Sequence, residues 1–288
     1  MKTSFLKWSP DVDSAVDYYT KAAVIYRNFK KSQEAADLYI KIADLHAQNG
    51  SFFHCAKAYE SAALLYRDLN DYYKVIDCLE TAGRIMRQNG IPDSATTLYS
   101  KGAKLLETAK PEDSAHFYGL AAETSELEEK YLQAADFATQ AARVWVRMRR
   151  FKEADEQLRR AMHLAASDTS DEATQTAYKV SGKAVVALVI IKLVQEDSVA
   201  ANKVYGEAME KYRFGETDDA MAVARLIQVY ESYDPAAASE ALSQPTFRNL
   251  ETEFARLART IKFPEGFGGQ ESMATGAPVN SEELEDIC

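Results

Sequence analysis

The densest chemistry in the chain is a run of cations, Arg-Val-Trp-Val-Arg-Met-Arg-Arg-Phe-Lys from Arg143 to Lys152, with no acid among its ten residues. On a helix, Arg143, Arg147 and Arg150 fall within about 60° of one another and form a stripe toward the helix's C-terminal end. Cations there answer the helix dipole, but that accounts for one or two of the five, Arg143, Arg147, Arg149, Arg150 and Lys152. The others stand out in a chain of formal charge -10. Lys101, Lys104 and Lys110 add positive charge earlier in the chain. A local basic stripe of this kind suits an acidic, elongated protein partner. The opposite charge gathers later: Glu216 and the pair Asp218 and Asp219, then Glu231, Asp234 and the acidic end of the chain. That group suits a basic partner.

Catalytic chemistry finds little to work with. The four histidines, His46, His54, His116 and His163, form no spaced pair of the kind that grips a metal. Gly-Phe-Gly-Gly at 266–269 lies in a turn-rich stretch and follows no strand, so it is no phosphate loop. Glu128 and Glu129 sit at a helix end, where capping and solubility explain them better than acid–base work. The reading is a non-enzyme, with no catalytic residue, metal or cofactor expected. An acidic chain of pI near 5.1 also argues against general nucleic-acid binding. Cys55, Cys78 and Cys288 are odd in number and lack metal or redox spacing, which points to a reducing, cytoplasmic setting.

What must position the basic run is a repeat. From Ser14 to about Ala166 the sequence echoes itself every 20 residues. A small or aliphatic residue recurs at Ala15, Ala35, Cys55, Val75, Ala95 and Ala115, followed four positions later by Tyr19, Tyr39, Tyr59, Leu79 and, after Ala95, Tyr99. Small pairs follow, among them Ala62-Ala63 and Ala82-Gly83, and slips of one residue carry the pattern on to Ala161. Spacings of three, four and seven place these residues on one helical face, and small residues there let neighbouring helices approach closely. Each unit is one helix and one turn; two units make a hairpin, the grain of an α-solenoid. The turns are very short, with Asn-Gly at 49–50 and 89–90, and they force antiparallel neighbours.

The fold class expected is therefore all-α, a tetratricopeptide-like solenoid of antiparallel helix hairpins with a C-terminal helical bundle. Residues 1–13 form an apolar N-terminal loop, 14–166 the solenoid, 167–262 the bundle and 263–288 a disordered acidic tail. In the bundle, helices are expected over 173–195, 199–213, 218–233 and 246–261, with Pro235 and Pro245 as joints. The apolar run Ala184–Ile191 is too short to span a bilayer and reads as buried. Two readings stand for Phe5, Leu6 and Trp8: they fold back on the first helices, as short apolar termini usually do, or they dip into a membrane surface.

The opening SFLKWSPDVDSAVDYYTKAAVIY, the hairpin AKAYESAALLYRDL, the segment AARVWVRMRRFKEA and the final acidic, aliphatic, Cys-ending tail resemble the gamma-type soluble NSF attachment proteins over nearly the whole chain. The resemblance implies sheets of tetratricopeptide-like hairpins that coat the four-helix SNARE complex and recruit the hexameric ATPase NSF, which pulls that complex apart after membrane fusion. It implies a cytoplasmic protein peripherally associated with membranes of the secretory and endosomal pathway. By the same resemblance Phe5, Leu6 and Trp8 match a membrane-touching loop. Arg143, Arg147, Arg149, Arg150 and Lys152, with Lys101 and Lys104, match the SNARE-facing basic segment. Glu231, Asp218, Asp219, Asp286 and Ile287 match the NSF-facing acidic and aliphatic groups. The family carries a whole helix ahead of the apolar loop, whereas this sequence begins at the loop; Gln140 stands where relatives often use lysine. The competing function is a generic tetratricopeptide-repeat scaffold that holds a peptide in its groove without NSF.

Overall fold

Every 20 residues or so the chain swings out of helix through a left-handed residue: Lys30, Gly50, Asn70, Gly90, Glu129 and Arg149 all have φ between 58° and 75°. In the computed structural model, which describes residues 3–4, 7–168, 174–232 and 235–263, the next backbone amide after each of these donates five residues back to close the helix end. Those bonds run Lys31 to Tyr26, Ser51 to His46, Asp71 to Tyr66, Ile91 to Met86, Lys130 to Ser125 and Arg150 to Trp145, at 2.8–2.9 Å. Glycine takes the left-handed position without penalty at Gly50 and Gly90. The helices so punctuated are α1 (Val12–Asn28), α2 (Ser32–Gln48), α3 (Phe52–Asp68), α4 (Tyr72–Gln88), α5 (Pro92–Leu106), α6 (Pro111–Leu127), α7 (Tyr131–Arg147) and α8 (Phe151–Ser167). The register slips by one residue between α5 and α6. There Pro111 excludes helical backbone at Lys110, which lies at φ -141° and ψ 69°.

Consecutive helices pack antiparallel, and the recurring alanines form the seam. Ala35, Ala43, Ala62, Ala63, Ala82, Ala103, Ala121, Ala134, Ala138 and Ala142 are all fully buried. At Gly83 the seam closes further, because an added Cβ would lie 2.2 Å from the ring of buried Tyr99. Gly83→Ala gains about 1 kcal/mol of helix propensity and loses more to overpacking. A net destabilisation of about 1–2 kcal/mol is expected, to be read from the midpoint of urea unfolding.

After Ser167 the helices are α9 (Thr174–Val194), α10 (Ser198–Lys211), α11 (Asp219–Ser232), α12 (Pro235–Leu242), α13 (Pro245–Arg248) and α14 (Thr252–Ala258), with a 3-10 turn at Phe214–Glu216. Val185 to Ile191 are buried on every side, because α9 packs against α7, α8, α10, α11 and α14. One apolar core runs from Ala134 on α7 through to Ile261, so the last solenoid helices and the bundle share their interior. Among the described residues no helix is long and apolar enough to cross a membrane.

The all-α hairpin architecture expected from the repeat is what the chain adopts. Two details differ. The single helix expected over 246–261 is broken: α13 ends at Arg248 and α14 begins at Thr252, since Leu250 packs into the core and Glu251 turns toward α7. Pro235 marks the joint between α11 and α12 and opens an extra helix, at a position where the missing amide costs nothing. At the N-terminus, strands β1 (Thr3–Ser4) and β2 (Lys7–Pro10) pair antiparallel where an irregular loop was expected. The expected acidic tail lies outside the described residues beyond its first residue, Phe263.

Candidate functional site

The basic run begins on α7 and continues across the turn into α8, so its side chains leave the helices at the ends where α5 and α6 also meet. That junction supplies the acids the run lacks. Glu107, just past the end of α5, takes two hydrogen bonds from Arg143: Nη1 to Oε1 at 2.7 Å and Nη2 to Oε2 at 2.9 Å. Arg147 donates to the same Oε1 at 3.0 Å and to the Glu107 carbonyl. Arg143 and Glu107 are 17% and 19% exposed, so this fork is shielded from solvent. The hydrogen bonds from Arg143, helped by the charge of Arg147, hold the Glu107 carboxyl below the usual carboxylate range against the opposing effect of burial. The same partnership raises the pKa of Arg143.

A second link ties this fork to the bundle. Arg143 Nε donates to Gln140 Oε1 at 3.1 Å, and Gln140 Nε2 donates to Glu251 Oε1 at 3.1 Å. Glu251 stands at the N-cap position of α14 without a capping side-chain bond, lies 3.6 Å from Arg143, and leaves its Oε2 without a hydrogen bond among the described residues. Burial pushes its pKa up. Nearby Asp136 is pushed up by burial too, with Lys104 and Lys183 opposing. Gln140 thus gives Glu251 an amide donor.

Arg150 is also engaged, with Glu112 at 2.8 Å, with Glu153, and with the Trp145 ring 4.9 Å from its guanidinium carbon. The cationic stripe is thus not acid-free in space. Arg149 is exposed at its left-handed position and has no ion pair among the described residues. Lys152 and Lys104 are exposed, and Lys101 is 60% exposed with only a loose 3.7 Å approach to Glu60. Arg256 on α14, which the sequence did not single out, lines a small pocket together with Arg147 and Arg149. No signal in the chain's linear order brings residue 256 to the end of α7.

Of the acidic candidates, Asp219 accepts from the Thr246 hydroxyl at 2.7 Å and so braces α11 against α13. Asp218 is exposed, and Glu231 is exposed and accepts from Asn202 at 2.6 Å. Trp8 falls in β2, whereas Phe5, Leu6, Asp286 and Ile287 lie outside the described residues.

The fork offers a stability test with a defined sign. Glu107 has a folded-state pKa below its unfolded one, so its contribution is full above the usual carboxylate range and is lost as pH falls through the depressed value. Glu107→Gln should cost about 1.5–3 kcal/mol at neutral pH, and chemical denaturation in a pH series should show that difference closing below about pH 4.5.

The family model for soluble NSF attachment proteins (SNAP) matches residues 3–247, which spans the basic run, the fork and most of the bundle. The chain belongs to the soluble NSF attachment protein family. Within the SNAP family it is 26% identical over 283 residues to the gamma-soluble NSF attachment protein of Arabidopsis thaliana, covering 98% of this chain and 94% of that one. It is 22% identical over 262 residues to the gamma-soluble NSF attachment protein of Dictyostelium discoideum, covering 90% and 78%. The gamma-type resemblance expected from the sequence is borne out by these relatives. The crystal structure of BtubC (BKLC) from P. vanneervenii covers 79% of this chain and 95% of its own at 15% identity, with a TM-score of 0.31, too slight a likeness to carry an argument.

Proposed function

We propose that this SNAP-family chain is an adaptor that binds SNARE complexes and recruits the NSF ATPase for their disassembly in vesicle traffic. The observation that carries the reading is the family match over residues 3–247. The names of the gamma-type relatives add support. In this reading the chain works in the cytoplasm, peripherally on membranes of the secretory and endosomal pathway, and catalyses nothing itself. The exposed cations Arg149, Lys152, Lys101 and Lys104 meet the acidic SNARE surface, while Arg143, Arg147 and Arg150 are engaged by Glu107, Glu112 and Glu153. Exposed Asp218 and Glu231, with Asp286 and Ile287, face NSF; Asp219 serves the fold. Phe5, Leu6 and Trp8 touch the membrane.

Capture by the immobilised chain from a detergent extract of cytosol and membranes tests this reading. SNARE proteins should be retained, and NSF should join them only when they are present. Retention of a single soluble protein through a peptide segment, with neither NSF nor SNAREs, would favour the generic repeat scaffold instead.

A further inference from the structure

At the far end of the chain α12, α13 and α14 leave a groove of about 510 Å³ between them. Most of its lining is apolar: Ala238 and Leu242 from α12, Phe247 from α13, Ala255 and Ala258 from α14, and Phe263 beyond, with Ser239 and Ser243 beside them. Two cations, Arg248 and Arg259, also line it. Neither has a carboxylate partner among the described residues; the nearest acid on α14, Glu253, turns to Arg256 instead. An apolar trough bordered by unpaired guanidiniums is the complement of an aliphatic segment set among carboxylates.

The chain carries such a segment. Phe263, part of the groove wall and 5.6 Å from the Tyr230 ring, leads into residues 264–288. These hold six carboxylates, Glu265, Glu271, Glu282, Glu283, Glu285 and Asp286, and no lysine or arginine. Leu284 and Ile287 are flanked by four of the six. The 24 residues from Phe263 to Ile287 (287 - 263) can reach up to about 80 Å at full extension, so length does not prevent a return to the groove. A tethered segment also meets its own groove at an effective concentration on the order of millimolar, which makes even a weak fit significant.

We infer that Glu282–Ile287 docks in the α12–α14 groove of its own chain, with Leu284 and Ile287 on the apolar floor and the carboxylates against Arg248 and Arg259. This goes beyond the adaptor reading and stands without it. Its consequence is that any partner using Ile287 must first displace it, so the groove sets how available the segment is.

Paramagnetic broadening tests the contact directly. A nitroxide is placed on Cys288 of the full chain; the two other cysteines are buried. Methyl signals of Ala238, Leu242, Ala255 and Ala258 are then compared with the reduced label. The inference predicts at least a threefold intensity loss at low salt, abolished both by Arg248→Glu/Arg259→Glu and by Leu284→Ser/Ile287→Ser. The second pair lies away from the folded helices, so it answers the question even if the arginine pair perturbs them. A mixture of labelled chain with isotopically enriched unlabelled chain should show no broadening. Absent broadening, broadening indifferent to both variants, or broadening in the mixture would each overturn the assignment.

Discussion

Replacing Arg143 with glutamate is expected to cost the fold about 3–5 kcal/mol, enough to lower the thermal midpoint by many degrees. The substitution does more than delete the double hydrogen bond to Glu107. It sets a new carboxylate beside Glu107 and Glu251, the latter already pushed toward protonation by burial. Arg147 remains to answer Glu107, nearer the surface, and Lys183 to answer Glu251. Arg143→Met, which keeps the aliphatic stem, should recover part of the loss, because the charge is what the carboxylates then avoid. Differential scanning calorimetry of the two variants separates these outcomes. Equal midpoints for wild type and Arg143→Glu would mean that the fork is an exposed ion pair of little worth.

The opposite behaviour is expected where the cations are exposed and only loosely paired. Lys101→Glu, Lys104→Glu, Arg149→Glu and Lys152→Glu together should leave the unfolding curve near that of wild type. The quadruple variant should nevertheless bind an isolated SNARE complex roughly tenfold or more weakly at low ionic strength. Each reversal changes the local charge by two, and these side chains spend little of their charge on partners of their own. The difference should shrink as salt is raised, since an exposed stripe is screened within about 10 Å at 0.1 M. Titration calorimetry at two salt concentrations measures both effects. Binding as tight as wild type at low salt would assign these cations to solubility alone.

The contrast between the two sets of cations was only half legible in the sequence. The 20-residue echo placed the helices and turns, because small residues at fixed intervals leave few ways to stack. That same echo held an unused clue to the ion pairs. Side chains at the ends of helices two apart meet, and Arg147 and Glu107 are 40 residues apart, two repeats. Arg143 to Glu107 is 36 and Arg150 to Glu112 is 38, the same interval give or take a turn. Laying the chain out in rows of 40 would have set these acids beside the run that seemed to have none. The link from Gln140 to Glu251 spans 111 residues and crosses out of the repeat, so no periodicity points to it. The breaks around α13 were hidden for a related reason. Local composition there permits one helix, and it is the packing of half-buried Leu250 against the core and the pull of Glu251 toward α7 that interrupt it.

The adaptor reading is tested most directly by a reconstituted disassembly reaction. Purified SNARE complex, NSF, magnesium and ATP are combined with or without this chain, and loss of the intact complex is followed by fluorescence. The account predicts little disassembly without the chain and rapid, ATP-dependent disassembly with it, slowed severalfold by the quadruple charge reversal and unaffected by Arg84→Glu on the exposed surface of α4. An intact SNARE complex in the presence of folded chain, under conditions where an established attachment protein supports disassembly by the same NSF, would contradict it.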